Sequence, residues 1–234
     1  MGKLRPEMRA IEKRGLLYVA ENGNRVKRFK PWLGDRFSFL YDWIMSRSVI
    51  PKKLGVDVER HYEILSEALA GVHGKQVLEL ATGTGSAVHF LSSDNRYTGT
   101  DISPGLLRQA VKRFGQADFP EPEFYVVSAD DLPFEDGSFD LCLCILALNF
   151  VGNVEGVLGQ VCRVLVPRGV FVCSVPVPER NKLHSTIRGT LHSEAELREI
   201  CQARGFMFEA LPKENGALLY FRATKRQSGA NHPV

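Results

Sequence analysis

Gln76-Val-Leu-Glu-Leu-Ala-Thr-Gly-Thr-Gly85 decides the fold. A short apolar run carrying one carboxylate, Glu79, breaks into a turn of small residues: Ala81, Thr82, Gly83, Thr84 and Gly85. Glycines at the carboxyl end of a strand let a ligand approach the backbone closely, and a following helix aims its N-terminal amides at it. The pattern predicts a strand over 77–80, a helix over 86–91, and a nucleoside site between them.

Asp101 closes the next apolar run, Tyr97-Thr-Gly-Thr-Asp101, 22 positions after Glu79 (101 − 79 = 22). In doubly wound folds an acid at that place bonds ribose hydroxyls. A dinucleotide fingerprint built on Gly83 and Gly85 needs a third glycine at position 88, where the chain has Val88. Glu79 argues the same way, because a pyrophosphate in a partly dry crevice would be repelled by a nearby carboxylate. S-adenosyl-L-methionine has no phosphate and carries an ammonium and a sulfonium, so the same acid becomes an attraction.

These residues resemble the first motifs of the class I S-adenosylmethionine-dependent methyltransferases, with Ala81 in place of the first glycine of E/D-x-G-x-G-x-G. The resemblance continues through Ser128-Ala-Asp-Asp-Leu-Pro-Phe-Glu-Asp-Gly-Ser-Phe-Asp140 and Val161-Cys-Arg-Val-Leu-Val-Pro-Arg-Gly169, and covers residues 60–224. Within the family it is similar to the ubiquinone and menaquinone C-methyltransferase branch, methyltransferase type 11. It implies a Rossmann-like, doubly wound α/β sheet of seven strands, mostly parallel with an antiparallel terminal hairpin, and an N-terminal helical lid. For the cofactor it implies that Ala81, Thr82, Gly83 and Gly85 admit the methionine part and that Glu79 offers charge to it. Asp101 would hold the ribose, Ile102 pack on adenine, and Ser128, Ala129 and Asp130 read the adenine edge. Ile145 and Leu146 would border the sulfonium, and Tyr41 of the Tyr41-Asp42 pair would reach the cofactor carboxylate. Ser128 stands where family members commonly carry an acid; a hydroxyl still accepts that bond, and Asp130 is the alternative.

Further strands are expected over 97–101, 123–127, 139–146 and 169–175. Ser103-Pro104 begins a helix to 114 with a capping hydroxyl and an early proline. A helix is expected over 153–165, and another from Ser193 to 203 opens with Glu196 completing a capping box. Strands over 207–211 and 217–224 form the terminal hairpin. Apolar spacing also predicts helices over 36–48 and 57–70, assigned to the lid.

The division read from the sequence is a basic arm and lid over 1–60, a methyltransferase domain over 61–226 and a flexible tail over 227–234. Residues 1–60 hold 14 Lys and Arg against 7 acids, while the rest hold 16 against 20, balances of +7 and −4 that sum to the net +3. Such a front can bind RNA or an anionic membrane surface through residues 1–30, or be a solvated leader. No DNA partner is expected, and oligomeric state is not legible. No run approaches the ~20 apolar residues of a membrane helix, and no signal-peptide layout opens the chain, so a cytoplasmic location is expected. Cys142, Cys144, Cys162, Cys173 and Cys201 fit neither a zinc knuckle nor a redox pair, and no metal site is expected.

The acceptor is harder to read. Leu146-Ala-Leu-Asn-Phe150 lacks the N/D-P-P-Y/F signature of base-amino methylation, and no Pro-Cys nucleophile is present. The candidates for acceptor chemistry are Asn149, His184 and His192. The primary expectation is methyl transfer to a small-molecule acceptor at C, O or N by direct displacement. The alternatives are an RNA, protein or phospholipid acceptor held by the basic arm, or a cofactor-binding module without turnover.

Overall fold

The computed structural model describes residues 2–21, 25–26 and 50–227. In chain order its elements are β1 (Met8–Lys13), β2 (Leu16–Glu21), β3 (Arg25–Val26), α1 (Val58–Leu69), β4 (Gln76–Leu80), β5 (Arg96–Asp101) and α2 (Pro104–Phe114). There follow β6 (Glu123–Val126), β7 (Phe139–Ile145), α3 (Val154–Val164), β8 (Leu165–Pro176), α4 (Glu194–Ala203), β9 (Phe206–Ala210) and β10 (Leu218–Lys225).

All strands belong to one sheet ordered β1-β2-β6-β5-β4-β7-β8-β10-β9, with β3 beside β2. From β2 to β8 the neighbours are parallel, and β10 lies antiparallel between β8 and β9. Chain order reverses at β4, which has β5 on one side and β7 on the other. In open α/β sheets that reversal leaves a crevice outside the carboxyl ends of the strands, where ligands bind. Leu80 is in register with Thr100 of β5 and Cys144 of β7, so the three strand ends bordering the crevice are level.

The sheet is larger than the seven strands expected, because ten strands join it among the described residues. The addition comes from the front of the chain, read as arm and lid. Residues 16–18 continue the sheet past β6, pairing Leu17 with Tyr125 and Tyr18 with Val126, while β1 folds back antiparallel as the outer edge. The continuous apolar run Leu16-Leu-Tyr-Val-Ala20 buries Leu16 and Ala20, which gives this short stretch a place in the core that its basic surroundings mask. The exposed charges of Arg9, Glu12 and Lys13 on β1 discourage another chain from pairing with that edge. The helix expected over 36–48 lies outside the described residues. The one over 57–70 is found as α1, capped by Asp57, whose carboxylate accepts from Arg60 N at 2.9 Å. Ile64, Leu65 and Leu69 on its apolar face are buried in the core, which makes α1 a cover of the sheet.

Period-two alternation divides the core between the sheet's faces. On β7, Cys142 and Cys144 join Phe171, Cys173 and the residues of α3 and α4, whereas Leu141, Leu143 and Ile145 join α1 and α2 on the other side. All five cysteines are free thiols, with Cys142, Cys144, Cys173 and Cys201 buried. The expected caps occur: Ser103 Oγ accepts from Leu106 N, Asn153 Oδ1 from Gly156 N, and Ser193 with Glu196 makes the capping box. The helix expected over 86–91 is only a 3-10 turn, Ser86–His89. Four residues give no α-helical amide array, so the expected helix dipole is absent at this turn.

Candidate functional site: the turn after β4

The turn is held from three sides. Thr82 N donates to Thr100 O at 2.9 Å, Gly85 N to Thr82 O at 3.0 Å, and Gly83 N to Asp101 Oδ2 at 2.9 Å. The other Asp101 oxygen accepts from Ser103 N at 2.8 Å, so one carboxylate ties the turn to the start of α2. Asp101 remains 9% exposed, enough to reach a ligand at its edge.

Three consecutive odd positions, Ala81, Gly83 and Gly85, have positive φ, at 50°, 58° and 81°. Glycine adopts that region freely and alanine at a cost. At Gly83 an added Cβ would meet only Ala81 O, 3.9 Å away, so this segment of backbone is open. A Cβ at Gly85 would come within 3.0 Å of the Ala110 backbone and 3.1 Å of Phe114, so this glycine lets the turn lie on α2. Gly99 has a third role: its missing side chain leaves room for Thr82, whose Oγ1 would sit 2.7 Å from a Cβ there.

Glu79 differs from its expected placement. It is 2% exposed and lies below the turn, on the face shared by Val77, where the Tyr97 hydroxyl donates to Oε2. Thr82 Oγ1 and Thr100 Oγ1 both donate to the Glu79 carbonyl, at 3.2 and 2.9 Å. Burial pushes the Glu79 carboxyl up to about 8, partly opposed by the Tyr97 hydrogen bond, and Asp101 pushes the same way as burial. Near neutral pH it is therefore mostly protonated. Burial, then Glu79 itself, holds the Tyr97 phenol well above its usual range. Tyr97 is a site residue that the sequence reading missed. Its signal is period two: Tyr97, Gly99 and Asp101 share a face of β5, and Gly99 is in register with Glu79.

Around the crevice, Ile102 is 47% exposed, an apolar side chain at the end of β5. Ser128 Oγ donates to Asp130 Oδ2 at 3.2 Å, which joins the two candidates for the adenine edge, with Ala129 half-buried between them. Ile145 ends β7, and Leu146 follows in the left-handed region at φ 57°, its N donating to Ser174 O at 2.9 Å. A bulky residue held there stores strain of the sort that clusters at functional sites. Tyr41 lies outside the described residues.

Among the acceptor candidates, Asn149 is 3% exposed in the 3-10 turn Leu148–Phe150, just past β7. His184 is exposed at φ 46°, and His192 is half-buried beside the Ser193–Glu196 box. No hydrogen bond or ion pair joins either histidine to Asn149 or to the turn after β4. Among the described residues no group of three or more His, Cys, Asp or Glu could hold a metal ion, and no helix is long and apolar enough to cross a membrane.

Residues 78–173 match the family described as "Methyltransferase domain". The demethylmenaquinone methyltransferase of Tropheryma whipplei (strain Twist) is 36% identical over 112 residues, covering 46% of this chain and 44% of that protein. The thiol S-methyltransferase TMT1A of Homo sapiens is 31% identical over 150 residues, covering 62% and 57%. The chain thus spans about half the length of these curated relatives. Among solved structures, the [4+2]-cyclase SpnF superposes with a TM-score of 0.61 at 18% identity, over 73% of this chain and 81% of that one. Identity that low speaks for the fold alone. Taken with the crevice at β4, the matched stretch makes residues 78–173 similar to methyltransferase domains, among them those of the ubiquinone and menaquinone C-methyltransferases.

Proposed function

We propose that the chain transfers a methyl group from S-adenosyl-L-methionine to a small, largely apolar acceptor. The observation that carries this reading is the hydrogen bond from Gly83 N to Asp101 Oδ2 at the chain reversal of the sheet. It holds an open turn against an acid suited to ribose. The cofactor fits these residues: the backbone at Gly83 is open, Asp101 is 9% exposed at the edge of the turn, and Ile102 offers an apolar face to adenine. Ser128 and Asp130 would accept from the adenine amino group. Glu79 would act from beneath the turn, favouring a cation above it once its own proton has left.

When bound, S-adenosylmethionine supplies a methyl group activated on a cationic sulfur that keeps the bonding electron pair as the methyl leaves. Charge disperses in such a displacement, so the chain's task is alignment and exclusion of water, not stabilisation of an oxyanion. Leu146 supports this, since its left-handed backbone, anchored by the bond from its N to Ser174 O, stores strain of the sort found at functional sites.

The acceptor class rests on two supports. Phe150 and Leu183, 61% and 56% exposed, stand on the connections that follow β7 and β8 at the carboxyl end of the sheet. The relatives are named for acting on demethylmenaquinone and on thiols. An acceptor methylated at carbon, oxygen, nitrogen or sulfur is compatible with these surfaces. The test is incubation of the full chain with a cell extract and methyl-labelled cofactor, read by mass spectrometry. A labelled small molecule is expected; label found only in RNA, protein or phospholipid would overturn the acceptor class. S-adenosylhomocysteine binding without any transfer would leave a binding module.

A further inference from the structure

Asn149 carries an unmet hydrogen-bonding demand. Its side chain is 3% exposed, Nδ2 donates to the Arg188 carbonyl at 2.7 Å, and its own carbonyl accepts from Thr190 N, also at 2.7 Å. The loop after β8 is thereby clamped to the turn after β7. Gly189 makes the clamp possible: its φ is 91°, and a Cβ there would lie 2.1 Å from Asn149 O. With so much of the residue engaged, Oδ1 is buried and has no partner among the described residues. Rotating the amide cannot cure this. The Arg188 carbonyl only accepts, so it must face the NH₂ group, and the oxygen is left on the other branch.

A buried amide oxygen without a donor costs free energy that a partner would recover. The position of this one matters, since Asn149 lies three residues beyond Leu146, at the strand end assigned to the methyl donor's sulfur. Phe150, its neighbour, exposes an aromatic ring to whatever lies outside. We propose that Asn149 is a specificity-determining residue whose Oδ1 accepts a hydrogen bond from an O–H or N–H of the methyl acceptor. The inference rests on the proposed function. It deepens it by requiring a donor on an otherwise apolar acceptor, and it assigns the residue selection of the acceptor rather than proton transfer.

The experiment uses two probes of nearly the same shape, 1-naphthol and 1-methoxynaphthalene, titrated into the full chain with and without S-adenosylhomocysteine. The native chain should bind naphthol about tenfold more tightly, the worth of one hydrogen bond to a buried acceptor. Asn149→Ala should erase the preference. Affinity for 1-methoxynaphthalene, which offers no donor, should stay the same in that variant. Equal affinity of the native chain for both probes, or no measurable binding of either, overturns the proposal whether or not any variant folds. A preference that survives in Asn149→Ala overturns it too, including the case in which the variant binds both probes equally more weakly, which would make the loop clamp the cause. A chain that takes up no S-adenosylhomocysteine but still prefers naphthol overturns the methyltransferase reading instead and leaves Asn149 as a donor-selecting group.

Discussion

Gly83 donates its amide to Asp101 across 2.9 Å, joining the turn after β4 to the end of β5. The same carboxylate accepts from Ser103 N, so a residue expected to hold a ribose also shapes the turn beneath the methionine part. In the proposed function, preorganisation and recognition would therefore be combined in one side chain.

Asp101→Ala should weaken S-adenosylhomocysteine binding at least tenfold and lower stability by about 2 kcal/mol, because two backbone amides lose a charged acceptor. Asp101→Asn keeps one carbonyl oxygen and should fall between. Calorimetric titration and denaturant unfolding measure the two effects, and unchanged affinity in the alanine variant would remove the centre of the proposed site.

Two buried groups set opposing slopes of stability with pH. His61, 2% exposed and hydrogen-bonded through Nδ1 to the Tyr220 hydroxyl at 2.8 Å, is held neutral, its pKa lowered by burial from 6.5 to about 4. The unfolded chain takes up that proton first, so stability falls as pH drops from 6.5 to 4, by roughly 3 kcal/mol. Glu79 runs the other way. Its folded carboxyl keeps a proton from 4.5 up to about 8, and stability falls as pH rises through that window. The slopes oppose between pH 4.5 and 6.5, which predicts a plateau there and a decline above it. Glu79→Gln should abolish the decline towards pH 8, and His61→Phe should turn the plateau between 4.5 and 6.5 into a continuation of that decline, stability then rising all the way down to pH 4.5; urea unfolding at half-unit pH steps checks both.

Proton release should accompany cofactor binding. At pH 6.5 an α-ammonium group is charged and Glu79 is protonated, so a cation drawn to the turn favours loss of the Glu79 proton. Release of protons, up to one per S-adenosylmethionine bound, is expected from calorimetry in buffers of different ionisation enthalpy. Glu79→Gln should bind more weakly and release none; undiminished release in that variant would assign the proton elsewhere.

The turn's left-handed positions differ in what they tolerate. Ala81 is exposed at φ 50°, and Ala81→Gly should stabilise by ~0.5–1 kcal/mol as relief of backbone strain exceeds the added chain entropy. Gly85→Ala should cost ~1–3 kcal/mol, because its Cβ would press on the Ala110 backbone at 3.0 Å and φ is 81°. Thermal melts of the two variants should shift in opposite directions.

Much of the fold was legible because its signals are local. Ser103-Pro104 and Ser193 with Glu196 mark helix starts through bonds made within one turn of chain, and both helices begin where those residues indicate. The nearly continuous apolar run of β7 marked a strand covered on both faces. The helix over 86–91 failed because the spacing says nothing of how soon β5 must begin, and Ser86–His89 closes as a single tight turn. The front of the chain misled for a related reason. Its charge suggested a solvated arm, yet Leu16 and Ala20 find burial only because β6 presents a free edge far along the sequence.

From its residues alone, the chain determined the strand and turn at 76–85 and the acid that closes the next strand at 101, since these follow from side-chain charge and backbone freedom at neighbouring positions. Tertiary structure decided everything that depends on neighbours distant in sequence: that Glu79 turns inward to Tyr97 and keeps its proton, that Asp101 bonds the turn it was expected only to face, and that Asn149 is buried with one oxygen unmet. Desolvation and hydrogen-bond geometry arise only when strands and loops pack together, and no spacing along the chain encodes them.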